Sequence, residues 1–243
     1  MHIHSALSAC GEDIMSPQRI LKRAEQSGLN LIAITDHNAI AHSILINELK
    51  KANSVNVILG VELTTREEVH LLGYFPDELS LKEMGEKIDE YLPKLENRPS
   101  FFGYQLIYNE QEEVNEIDYR LRQNALQASM EELVNFIHYL GGIAVPAHIH
   151  RDYCSIKSQI GFLDPNSDFD AVEISRFEWI KKQYKIGDLL EGFPVVSGSD
   201  SHFLEDIGTF YWEVDDERKI MDFDSLKNFL KEIRIERHSR PSF

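Results

Sequence analysis

Leu29-Asn30-Leu31-Ile32-Ala33-Ile34-Thr35-Asp36-His37-Asn38 is the stretch that decides the fold. Leu31 to Thr35 is apolar and β-branched over the length of one buried strand, and it runs straight into an aspartate and a histidine. The construction recurs along the chain. Val57 to Leu63 delivers Glu62, Gly142 to Ala147 delivers His148, and Pro194 to Gly198 leads through Ser199 to Asp200 and His202. With Val69 to Phe75, Ala171 to Ile174 and a short opening segment around Ile3, the count reaches about seven strands, which suits a small barrel. Helical segments alternate with them, so the pattern is α/β. One starts at Ser16-Pro17, an N-cap followed by proline at the first helical position. Another starts at Ser129, with Glu131 and Glu132 in its first turn. Others are expected over Ser43 to Ala52, Leu81 to Leu95, Phe177 to Leu190 and Ser225 to Ile235. Arg98 to Ala128 is polar and weakly periodic and reads as a surface excursion (98–128) within a single domain, 1–243.

At 243 residues, 42% hydrophobic and 27% charged, the chain is long enough for one large α/β core, which excludes disorder and low-complexity classes. No apolar run approaches the roughly 20 residues that span a bilayer, and no basic-then-apolar leader precedes His2, so a cytoplasmic protein without a membrane partner is expected. The formal charge of −16 argues against binding long nucleic acid or anionic lipid through bulk charge, although a locally positive site remains compatible with it. Cys10 and Cys154 form no CxxC pair and are read as reduced thiols.

In a parallel barrel all the C-terminal strand ends open onto one face, where His2, His4, His37, His148, His202, Glu62 and Asp200 would converge. His2 and His4, two residues apart, share one face of a strand. Five imidazoles and two carboxylates exceed what a single four-coordinate ion uses, so two or three divalent cations, zinc, manganese or iron, are the economical reading. Each piece also has a plain structural meaning, since an isolated Asp-His after a strand can be a helix cap. Their joint placement at five strand ends is what favours a metal cluster. His42, His138 and His238 stand apart from strand ends and are read as structural; His150, two residues after His148, stays open.

The motifs His2-Ile3-His4, Thr35-Asp36-His37-Asn38, Gly60-Val61-Glu62, His70-Leu71-Leu72-Gly73-Tyr74, Pro146-Ala147-His148 and Gly198-Ser199-Asp200-Ser201-His202 resemble, in order, those of the PHP (polymerase and histidinol phosphatase) family of metal-dependent phosphoesterases. The resemblance implies a distorted (β/α)7, TIM-barrel-like fold of the PHP type with a metal cluster at one face. It places His2, His4, Glu62 and Asp200 on one cation, Glu62 with His70 and His148 on a second, and His37 and His202 on a third. The family often completes that third position with a histidine. This chain has Cys10-Gly11-Glu12-Asp13 there, and Glu12 is the expected ligand, with Asp13 as the alternative. A carboxylate would favour manganese or iron over zinc.

The resemblance also implies hydrolysis of a phosphomonoester by a metal-bridging hydroxide, with Asp36 orienting His37. Arg66, Arg151 and Arg176 lie near the motifs and are the candidates for phosphate recognition, Arg151 foremost. The expected substrate is a phosphorylated small metabolite or nucleotide. The alternative is a nuclease or nucleoside bisphosphatase acting on short oligonucleotides or nucleotide phosphodiesters. A metal-binding scaffold without turnover and an amide hydrolase rank below both, the first because every ligand position has a candidate, the second because no lysine follows a strand. Lys50-Lys51 and Lys181-Lys182 read as solvated pairs rather than a track for a strand of nucleic acid.

Overall fold

The computed structural model describes residues 1–50, 55–214 and 219–238, the last four as backbone alone. Its helices are α1 (Pro17–Gln26), α2 (Ala41–Leu49), α3 (Glu78–Tyr91), α4 (Pro99–Phe102), α5 (Met130–Tyr139), α6 (Ile156–Gln159), α7 (Arg176–Lys182) and α8 (Phe223–His238). Its strands are β1 (Leu31–Ile32), β2 (Asn56–Val57), β3 (Leu59–Thr64), β4 (His70–Phe75), β5 (Leu106–Tyr108), β6 (Val114–Ile117), β7 (Ile143–Pro146), β8 (Val172–Glu173), β9 (Leu189–Leu190) and β10 (Phe193–Val196). Lys51, Ala52 and the His238 side chain, named in the sequence reading, lie outside the described residues.

The fold is mixed α/β. Its strands form four small sheets, β1-β2, β3-β4-β7, β8-β10-β9 and β5-β6. The expectation of a wholly parallel sheet fails at β4, which runs antiparallel to both β3 and β7. Only residues 65–69 separate β3 from β4, too few for the dozen or so that a parallel crossover needs, so the chain turns back as a hairpin. The reversal has a consequence for the site. Thr64 at the end of β3 pairs with His70 at the start of β4, so His70 joins the other strand ends by beginning a strand.

Backbone hydrogen bonds tie these ends together beyond the regular ladders. His4 N donates to Ser201 O (2.9 Å), Thr35 N to Ile3 O (2.9 Å), Asn38 N to Glu62 O (2.9 Å), Ala147 N to His70 O (2.9 Å), Ile149 N to Glu173 O (3.0 Å) and Ile174 N to Val196 O (2.9 Å). Gly60 permits one close approach, because a Cβ there would stand 2.9 Å from Thr35 Cγ2.

The helix starts follow local chemistry. Ser16 Oγ caps α1 by accepting from Arg19 N, with proline in the first turn, and Ser129 and Glu132 form a reciprocal capping box on α5. α7 ends at Lys182, well short of Leu190, where Gln183 turns into the left-handed region and closes the helix. The excursion carries structure of its own. β5 and β6 form a hairpin, Leu106 N donates to Ala6 O (2.7 Å), and buried Arg122 binds Asp118 Oδ2 (2.7 Å) and Asn38 O (2.9 Å). α8 seats Phe223, Leu226, Phe229 and Leu230 in one buried cluster with Leu72, Tyr74, Ile143 and Val145. No helix among the described residues is long and apolar enough to cross a membrane.

Candidate metal centre

Glu62, the fourth residue of β3, is fully buried, and five imidazoles converge on its carboxylate. Oε1 lies 3.3 Å from His2 Nε2, 3.1 Å from His70 Nδ1 and 3.4 Å from His148 Nε2. Oε2 lies 3.2 Å from His4 Nε2 and 3.0 Å from His37 Nδ1. Asp200 Oδ1 completes the near side at 3.4 Å from His2 Nε2 and 3.2 Å from His4 Nε2. His202 stands beside His4, ring centroids 4.5 Å apart. His148 (φ 31°) and Asp200 (φ 48°) both hold left-handed backbone, a strained conformation for non-glycine residues that concentrates at functional sites.

The hydrogen-bond accounting fits cations. Ser8 Oγ donates its one hydrogen to Asp36 Oδ1 (2.7 Å), so toward His4 Nδ1 (3.1 Å) it can only accept. The His4 proton therefore sits on Nδ1, and the Nε2 lone pair faces two carboxylates. Glu173 grips His2 Nδ1 with both oxygens (2.9 and 3.1 Å), which fixes His2 the same way. His2 Nε2, His37 Nδ1, both ring nitrogens of His148 and both Glu62 oxygens are buried without a hydrogen bond. For His2 and His4, whose Nε2 lone pairs face carboxylate lone pairs at these distances, the arrangement requires either a second proton on the ring or a cation between the partners.

The electrostatics agree. Burial alone would lower the His2 pKa, but Glu173, Asp200 and Glu62 outweigh it and lift the imidazole well above its usual value. The same opposition brings His4 to about 8, against Asp200 and Glu62, and His70 to about 10, chiefly through Glu62. Burial would raise Glu62 and Asp200, yet the surrounding imidazoles hold both well below the ordinary carboxylate range. Burial wins for His37 and His148, which are lowered. Burial and the nearby carboxylates Glu62 and Asp200 push the Cys10 thiol up to about 12.

Of the sequence candidates, His2, His4, His37, Glu62, His70, His148, Asp200 and His202 come together, and Arg151 and Arg176 stand at the mouth of a cavity of about 580 Å³ above them. Arg151 pairs with Asp200 Oδ2, and Arg176 Nη1 reaches Thr209 Oγ1 at 3.2 Å. Arg66 is not brought in; it sits on the β3–β4 turn with its side chain 62% exposed, near Glu132. Glu12 is half-buried and Asp13 exposed, neither lining the cavity, and Cys10 takes the place beside His4 and His202. Tight turns produce this outcome, with Ser8 N on Ser5 O, Gly11 N on Ser8 O and Met15 N on Glu12 O. Asp36 reaches His37 only indirectly. It accepts from Ser5 N (2.7 Å), Ser5 Oγ (2.5 Å) and Ser8 Oγ, and Ser8 Oγ accepts from His37 N (3.1 Å).

Glu173 is a residue of the candidate site that sequence reading missed. Besides holding His2, it accepts from His148 N (3.1 Å). Its one signal is an acid inside the apolar run Ala171-Val172-Glu173-Ile174. His42, expected to be structural, is so: buried on α2, it bridges Ser5 Oγ (2.7 Å) and Tyr108 N (2.8 Å). His138 pairs with Asp170 (2.8 Å) away from the centre. His150 does not line the cavity.

Comparison with known proteins points the same way. The family model for the PHP domain matches residues 1–185, and that for the PHP-associated segment matches 191–236. A protein of Methanocaldococcus jannaschii without an assigned function is 35% identical over 103 residues, 37% of this chain and 60% of that one. The PolC-type DNA polymerase III of Caldanaerobacter subterraneus is 26% identical over 223 residues, 80% of this chain and 16% of the polymerase. The chain thus spans less than two thirds of either relative. Among solved structures, the lesion-specific endonuclease Q of Pyrococcus furiosus superposes with a TM-score of 0.60 at 20% identity, over 96% of this chain and 55% of the endonuclease. A proposed metal-dependent phosphoesterase of Bifidobacterium adolescentis gives 0.51 at 17% identity, over 95% and 94%. At such identities the likeness is one of fold.

Proposed function

This chain belongs to the PHP domain family, and from that membership we propose that it hydrolyses a phosphomonoester of a small metabolite or nucleotide, using two or three divalent cations held around Glu62. The observation that carries the reading is one buried carboxylate, without a hydrogen bond, facing five imidazoles within 3.4 Å. His2, His4, Glu62 and Asp200 would hold one cation, Glu62, His70 and His148 a second, and His37 and His202 a third. Bound there, divalent cations supply Lewis acidity to phosphate oxygens and a more acidic water.

The chain's own residues do the rest. Glu173 keeps the His2 proton on Nδ1, and Ser8, itself fixed by Asp36, does the same for His4, so both rings present a lone pair inward. Arg151 and Arg176 offer N–H groups at the mouth to the non-reacting oxygens of the substrate. Arg151 also holds Asp200 Oδ2, leaving Oδ1 turned toward His2 and His4. The successive backbone hydrogen bonds among the strand ends support a distorted (β/α)7 barrel, and the seating of α8 on β4 and β7 supports a single domain over 1–243.

A second reading, cleavage at nucleic-acid ends, is favoured by one feature. The start of α7 brings Arg176 and Phe177 into the cavity lining, with Lys181 Nζ over the Phe177 ring (5.7 Å to the centroid) and Tyr153 against the Arg151 guanidinium (5.2 Å to the ring). Endonuclease Q, similar in fold, has been solved with a duplex bearing an abasic lesion. A phosphate-release screen over nucleotides, sugar phosphates and end-labelled oligonucleotides, with His148→Ala as control, separates the two. Release from monoesters that is lost in His148→Ala supports the first reading. Activity confined to oligonucleotides supports the second, and full activity in His148→Ala overturns both.

A further inference from the structure

We propose that Cys10 supplies a thiolate to a cation held with His202 and His37, making that position of the centre a soft-ligand site suited to zinc. The proposal rests on the metal-dependent reading above and revises the ligand expected there from a carboxylate to sulfur. One ligand atom each of Cys10, His4 and His202 lies within 4.8 Å of the other two. His202 Nδ1 is 2.8 Å from the Asp200 carbonyl oxygen, which can only accept, so the ring carries its hydrogen on Nδ1 and its lone pair on Nε2. His4 Nε2 also faces Glu62 and Asp200. His37 is the further donor on this side: its Nδ1, 3.0 Å from Glu62 Oε2, is buried without a hydrogen bond, its ring centroid is 4.5 Å from that of His4, and it lines the same cavity as Cys10 and His202.

The loop is built to keep the thiol there. Gly11 follows Cys10 at a point where a Cβ would come within 2.5 Å of Ser5 O, so the turn closes only with glycine. Past that turn Asp13 is exposed and Glu12 lies outside the cavity lining. Two imidazoles and a thiolate form a donor set typical of zinc, while the positions around Glu62 have only nitrogen and oxygen donors. The centre is thus chemically divided.

The test uses the full chain with its metal exchanged for cobalt(II), whose bonds to sulfur give a charge-transfer absorption in the near ultraviolet. Cys154 needs a control, because it lies against His70. The absorption is expected in the wild type, in Cys154→Ser and in Glu12→Ala. It is expected to be lost in Cys10→Ser, with bound cobalt lower by one ion per chain. Cys10→His is expected to keep the wild-type cobalt count and lack the absorption, which guards against a Cys10→Ser variant that misfolds. Cobalt bound to the wild type without that absorption, or absorption that survives Cys10→His, overturns the Cys10 assignment while leaving the Glu62 centre standing. Failure of the wild type to bind cobalt at all overturns both.

Discussion

Glu173 offers the sharpest quantitative test of how the centre is held. Its carboxylate is buried, takes His2 Nδ1 on both oxygens at 2.9 and 3.1 Å, and accepts the His148 N–H at 3.1 Å. Glu173→Gln keeps the shape and removes the charge. Charge-assisted hydrogen bonds contribute about 1.5–3 kcal/mol against about 0.5–1.5 for neutral ones, so the change costs about 1–2 kcal/mol of His2 orientation. At about 1.4 kcal/mol per tenfold, cation affinity should fall roughly tenfold. Glu173→Ala leaves a buried N–H of His2 unsatisfied and frees the His148 amide, and should approach the roughly hundredfold end of what such supporting residues contribute. The assay is chelator competition at pH 8 on each variant, with the melting temperature of the stripped protein measured beside it. Affinity within about twofold of wild type in both variants would refute the argument, and so would a loss fully matched by a lower melting temperature of the stripped protein.

Four further outcomes follow from the same geometry. In the stripped protein, His4 at about 8 and His70 at about 10 are raised above 6.5, so their pairing with carboxylates stabilises fully below pH 6.5 and is lost as pH climbs through those values. Glu62 and Asp200 are depressed, so their contribution is present at neutral pH and lost on acidification. Melting scans of stripped protein should therefore fall from pH 6.5 to 9, while the gain on adding cations grows over that interval because protons no longer compete; a flat stripped profile would contradict this. Asp36→Asn removes the charge that anchors Ser5 and Ser8 and should weaken cation binding about tenfold by the same chelator competition. Arg151→Met should raise KM for a phosphomonoester more than it lowers kcat, by steady-state kinetics, since the guanidinium lines the mouth. Arg66→Ala should leave both parameters unchanged, because its side chain is exposed on a turn outside the cavity.

Local chemistry was legible in the sequence, and features set by chain packing were not. The caps at Ser16 and Ser129 and the histidines and acids at the ends of apolar runs depend on a few neighbouring residues, and the structure brings those side chains together. The reversal of β4 is encoded only in the brevity of residues 65–69, a feature that the alternation of strand and helix segments does not display. Glu173 looked like part of a core strand because its partners, His2 and His148, lie 171 and 25 residues away in sequence. Glu12 was expected as the ligand in the loop after the opening strand, with Asp13 as the alternative, yet the tight turns from Ser5 to Met15 bring Cys10 to the cavity lining. Arg66 was chosen for its place between two motifs, and a hairpin turn carries it to solvent.

The central claim is that Glu62 is a carboxylate shared between cations. The most direct measurement is elemental analysis of wild type and Glu62→Gln after equilibrium dialysis against manganese or zinc. More than one ion per chain in the wild type, falling by at least one in the variant, is the result the shared carboxylate requires. An undiminished count in Glu62→Gln would contradict it.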